Sequence, residues 1–90
     1  MTTLIVQHEV KDFAEWEKVF NSDKPNLAKA GVKIIGVYTS VKNPNDVRII
    51  FEAPNTELYD KMMSDPKRQE DIKRAGVITK PFATFLTRVQ

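Results

Sequence analysis

No cysteine occurs in the 90 residues, which removes disulfide staples and thiolate metal sites and makes a reducing compartment unremarkable. Glycine occurs three times and never in a phosphate-cradling loop, and histidine occurs once, as His8. There is no CxxC pair, no cluster of metal-ligand spacing and no G-x-S-x-G elbow, so neither a metal nor a cofactor is expected. No stretch approaches the ~20 apolar residues of a membrane span, and the first residues lack a charged-then-apolar leader, which points to a cytoplasmic protein. Charge of one sign is never concentrated: 14 basic and 12 acidic residues leave +2, dispersed along the chain. That pattern serves solubility and does not invite nucleic acid.

What is present is ordinary globular material, 41% hydrophobic and 29% charged. The length fits one domain, residues 1–90, only just large enough to hold a core without staples. Oligomerisation is the remaining common route to further burial.

The apolar pattern switches period repeatedly. Thr3–Val10 alternates as a strand. Asp12 follows as a helix cap with Glu15 at capping-box spacing, and Phe13, Trp16, Val19 and Phe20 form a helical stripe. The run "NSDKPN" predicts an interruption, with Ser22 or Asp23 recapping a second segment that stops at Gly31. "VKIIGVYTSV" (Val32–Val41) and "DVRIIFEA" (Asp46–Ala53) read as two strands joined by the turn residues "KNPN". Asn55 or Thr56 then caps a helix carrying Leu58, Tyr59, Met62 and Met63. Asp65 and Pro66 restart it, Gly76 ends it, and Phe82–Val89 forms the last strand. "KAGV" and "RAGV" recur half a chain apart. The order is βαββαβ, an α+β ferredoxin-like antiparallel sheet with its helices on one face.

Period-two counting separates the two faces of that sheet. Leu4, Val6, His8 and Val10 share one side of the first strand, leaving Ile5, Gln7 and Glu9. In the third strand Val47, Ile49 and Phe51 oppose Arg48, Ile50 and Glu52. The second strand sets Ile34 and Tyr38 against Ile35 and Val37, and the last sets Phe82 and Leu86 against Phe85 and Val89. The face away from the helices therefore carries large apolar groups, each worth about 1.5–3 kcal/mol if covered. Either a second copy of the chain or a ligand should cover it. A homodimer apposing two such sheets would form an α/β barrel around a partly polar interior.

The runs "IVQHEVKDFAEWEKVF", "AGVKIIGVYTS" and "NDVRIIFEAPNTELYDKM" resemble the dimeric α/β-barrel superfamily, and within it the antibiotic-biosynthesis-monooxygenase-like and cyclase-like small proteins. The resemblance covers nearly the whole chain. It implies a homodimer with a cavity between each sheet and its helices, or within the barrel. It also implies a range of activities: cofactor-free oxygenation of polycyclic phenols, haem degradation, lactone isomerisation, chlorite chemistry, or no known reaction. Haem-degrading members use an Asn, a Trp and a helix-borne His. The second helix here has no histidine and Trp16 has no histidine beside it on its helix, so that carry-over fails.

Candidate site residues follow from both lines of reasoning. His8 is the catalytic candidate: histidine titrates near pH 6.5, which suits removing a proton from a phenol or an activated carbon. The competing reading is a neutral imidazole buried in the core. Ligand-binding candidates are Gln7, Arg48 and Glu52, and the phenols of Tyr38 and Tyr59, which can donate to a carbonyl. Arg48 and Glu52 lie roughly 13 Å apart along one strand, so each would meet Gln7 or Glu9 rather than the other. RNA recognition on this topology needs stacking aromatics in the central strands, and "LIVQHE" and "DVRIIFEA" do not supply them. The expected function is that of a cofactor-independent monooxygenase, isomerase or cyclase acting on a small lipophilic carbonyl- or phenol-bearing molecule. The alternative is a non-catalytic dimeric binding or structural module.

Overall fold

The computed structural model describes residues 2–90. Seven elements follow in order: β1 (Thr2–Glu9), α1 (Phe13–Lys29), β2 (Lys33–Ser40), β3 (Asn43–Ala53), α2 (Glu57–Met63), α3 (Pro66–Arg74) and β4 (Phe82–Leu86). The strands pair antiparallel in the order β2-β3-β1-β4, the arrangement of a ferredoxin-like sheet. Among the described residues no helix is long and apolar enough to cross a membrane.

Register sets the faces. Leu4 lies opposite Phe51, Val6 opposite Ile49 and His8 opposite Val47, so these side chains share the side of the sheet covered by the helices. Most of them, with Val10 and Ala53, are buried. The core forms two clusters on that side. One joins Val10, Val47 and Ile49 to Trp16 and Ala75; the other joins Leu4, Val6 and Ala53, with Leu58 and Tyr59 of α2 against them.

Three local expectations change. The helix does not break at "NSDKPN": α1 runs through with Pro25 inside it. Asn21 and Pro25 are both exposed, so the carbonyl that loses its donor is open to water, and continuing the helix buries Leu27. The β2–β3 hairpin turns at Val41–Lys42, so only Lys42 of "KNPN" lies in the turn, because Ser40 pairs with Asn43 and β3 begins there. The register also shifts between Ile34 and Gly36. Ile34 pairs with Phe51 on the helix side, whereas Tyr38 pairs with Arg48 on the opposite side. One extra residue in the strand thus parts Tyr38 from Ile34, which strict alternation had placed together.

Ser22 and Asp23 cap nothing, since α1 runs through them, while the other capping signals hold. Asp12 Oδ1 accepts from the Glu15 amide at 3.3 Å, Asp65 Oδ1 accepts from the Lys67 amide at 3.0 Å, and Asn55 Oδ1 accepts from the Leu58 amide at 3.0 Å. Gly31 and Gly76 take φ of +83° and +84° just past their helices, the left-handed turn that the repeated "AGV" required. Beyond Gly76, Val77 bridges Val10 and the Ile78 amide bonds the Glu9 carbonyl at 2.8 Å, which ties the end of β1 before β4 begins. The last strand ends at Leu86, short of Val89.

Candidate functional site

A cavity of about 390 Å³ lies between the sheet and the helices, within the range of small-molecule pockets. Its floor is the helix-facing side of β1 and β3: Leu4, Val6, His8, Ile49, Phe51 and Ala53. Trp16, Val19, Phe20 and Leu27 of α1 form one wall, and Leu58, Tyr59, Met62 and Met63 of α2 form another. The exposed polar lining, Ser22 and Asn26 on α1 with Lys67 and Arg74 on α3, marks an opening between those two helices.

His8 is 7% exposed and packs its ring against Trp16, with centroids 5.6 Å apart and planes inclined at 58°. Trp16 in turn stacks on Phe20 at 4.9 Å and meets Phe13 at 5.6 Å. Neither Nδ1 nor Nε2 of His8 has a hydrogen-bond partner among the described residues. No protein group among the described residues uses the imidazole's capacity to donate and accept, so both nitrogens are available to a molecule in the cavity. Burial pushes its pKa below the ordinary 6.5, and the Asp46 carboxylate pulls it partly back. At neutral pH the ring is uncharged, with one nitrogen free to accept and the other to donate.

Tyr59 lines the same cavity and meets Phe85 of β4 edge to face at 5.7 Å. Burial raises its pKa, and Asp60 raises it further, so the phenol keeps its proton at neutral pH and can donate it in a hydrogen bond. It packs against the Leu4 end of β1, while His8 lies four residues along that strand, roughly 13 Å away. The cavity thus has a polar group at each end and an apolar floor between them.

The other candidates lie on the opposite side of the sheet. Register places Phe82, Gln7, Arg48 and Tyr38 in one row across all four strands. The Tyr38 ring lies over Gly36, where a Cβ would come within 2.7 Å of it. Arg48 pairs with Asp46 of its own strand at 3.3 Å, and Glu52 stands opposite Thr3 and Lys33 rather than beside Gln7 or Glu9. Six candidates therefore form two groups separated by the thickness of the sheet. Sequence reasoning missed Asp23 and Arg68, whose side chains meet in the cavity lining at 2.7 Å. They are 45 residues apart, and nothing in their local context pairs them.

A family model described as a domain of unknown function, DUF3764, matches residues 1–86. The chain belongs to the DUF3764 family. No curated protein matches the sequence of this DUF3764 chain. Among solved structures it is similar to SnoaB, a cofactor-independent oxygenase from Streptomyces nogalater, with 15% identity over 99% of this chain and 93% of that one, at a TM-score of 0.72. It is similar to an antibiotic biosynthesis monooxygenase over 100% of both chains, with 14% identity and a TM-score of 0.69. A NIPSNAP domain protein from Burkholderia xenovorans matches 99% of this chain and 95% of its own length, at 13% identity and a TM-score of 0.69. The DUF3764 chain therefore has the fold of the antibiotic biosynthesis monooxygenases, as the sequence resemblance implied.

Proposed function

We propose that the cavity binds a small, mostly apolar molecule bearing a carbonyl or phenol, and that His8 accepts a hydrogen bond or a proton from it. The supporting observation is the buried imidazole with both nitrogens unpartnered at the end of an apolar cavity. A neutral imidazole is the form able to take a proton from a phenol or from a carbon beside a carbonyl, the first step of oxygenation, isomerisation or cyclisation without a cofactor. Tyr59 donates to the far end of the ligand. The shared fold with a cofactor-independent oxygenase favours this class, although fold does not itself convey a reaction.

A second reading, binding without turnover, is favoured by one feature. Among the described residues no side chain orients His8 through its second nitrogen, as a base in a catalytic constellation is normally held. Trp16, the one tryptophan, lines the cavity and reports on both readings. Titration with 1-naphthol or 1,8-dihydroxyanthraquinone should quench its fluorescence with saturation. Oxygen uptake or conversion of the bound phenol supports catalysis, binding alone supports the second reading, and no saturable quenching rejects both.

A second copy of the chain covers the open face of the sheet, giving a homodimer. Tyr38, Phe82 and Leu86 on that face are 52%, 67% and 41% exposed, and Arg48 and Lys33 stand among Asp46 and Glu52, a mixture that can complement itself. Light scattering at micromolar concentration should return twice the chain mass, and Phe82→Glu with Tyr38→Glu should halve it. A monomeric wild-type protein rejects the dimer.

A further inference from the structure

Among the described residues, four ion pairs form and three join residues only two or three positions apart: Lys18 with Glu15, Arg48 with Asp46, and Arg74 with Asp71. The fourth is different in kind. Arg68 of α3 grips Asp23 of α1 with both arms of its guanidinium, Nη1 to Oδ2 at 2.7 Å and Nη2 to Oδ1 at 3.4 Å. Both side chains are nearly four-fifths buried, at 23% and 21% exposure, whereas the local pairs lie more in solvent. Both residues line the cavity, on the two helices between which it opens.

α1 contributes Trp16 to the core and α3 is followed by Ala75, yet α3 itself buries no residue. Its nine residues, Pro66–Arg74, lie between the Asp65 cap and the left-handed turn at Gly76, so it is a short segment held between two turns. A helix with little buried surface opens at low free energy, and a bidentate charge-assisted pair is then the strongest single contact holding it to α1.

We infer that the Arg68–Asp23 pair is a latch on the cavity mouth: it breaks to admit a ligand and re-forms behind it. The inference rests on the reading of the cavity as a binding site. When α3 swings from α1, both charges reach water at once, so the open state leaves neither charge buried and unpaired. When they re-pair, the mouth narrows again behind a ligand lying against His8 and Trp16. The latch sets the rates of entry and exit more than the affinity, because the pair is intact both before and after binding.

Stopped-flow quenching of Trp16 by 1-naphthol, a neutral ligand at pH 7, tests the latch directly. In Arg68→Met, which keeps the length and apolar body of the side chain, association and dissociation should both rise by about five- to tenfold with the equilibrium constant little changed. Asp23→Asn should act in the same direction, which covers the case in which the Arg68 variant folds poorly. The exchanged pair D23R/R68D should restore slow rates. Rates unchanged in both single variants, or an affinity change with no change in entry rate, overturn the latch while leaving the binding reading in place. No saturable quenching in the wild-type protein rejects the binding reading and the latch with it.

Discussion

Replacing Trp16 with alanine is expected to cost about 3–5 kcal/mol of unfolding free energy, the usual toll for removing a buried tryptophan. Trp16 is 4% exposed and is the contact on which Phe13, Phe20 and His8 all converge. A domain of this length holds roughly 5–13 kcal/mol in total, so the variant would lie near the edge of stability at 37 °C. Trp16→Phe keeps a ring against Phe20 and should lose markedly less. Urea unfolding followed by far-ultraviolet circular dichroism measures both. A loss below about 1 kcal/mol for the alanine variant would mean that the surrounding rings close over the gap, and that α1 is anchored elsewhere.

The second large effect concerns His8, and its sign is unusual for a core position. His8→Leu replaces an imidazole with two unpartnered nitrogens by an apolar side chain of similar size. Stability at pH 7.5 should stay level or rise by up to about 1 kcal/mol, because no protein hydrogen bond is lost with the imidazole. Ligand affinity should fall by about tenfold, the value of one good hydrogen bond lost. Destabilisation beyond about 1 kcal/mol with binding intact would instead identify His8 as a hydrogen-bonded core residue.

The same substitution separates the pH dependence. Burial depresses the folded-state pKa of His8 below the ordinary 6.5, with Asp46 opposing. The unfolded chain therefore takes up the proton first as pH falls. Stability is intact above pH 6.5, erodes as pH drops from there towards the lower folded-state value, and the loss is complete beneath it. The wild-type protein should show this erosion and His8→Leu should lack it, each measured against its own stability at pH 7.5. An identical acid limb in both proteins would assign the loss to carboxylates alone.

Much of this architecture is legible in local chemistry. The alternation of Leu4, Val6, His8 and Val10, the Asp12 and Asp65 caps, Pro66 at the start of α3 and the two "AGV" stops each act over a few residues. Their physics is complete within that span, so a linear reading finds them. Pro25 shows the limit. Its local signal is that of a break, and the burial of Leu27 one turn further on outweighs it.

The site divides along the same line. That His8 faces the helices follows from the period of two within β1. That its ring meets Trp16, that both of its nitrogens stay unpartnered and that Tyr59 lies at the far end of the same cavity depend on how three helices sit on the sheet. Tyr38 reached the open face beside Arg48 through a shift of register near Ile35, and a bulge leaves the apolar pattern of a strand unchanged. Arg68 and Asp23 look like two more surface charges until the chain brings them together across 45 residues. By itself the sequence determined the order of strands and helices, their caps and the side of the sheet His8 occupies, because those depend on neighbours in the chain. The cavity, the row of residues on the open face and the pair at the mouth were decided by the tertiary structure alone, because each is made of residues whose only relation is their meeting in space.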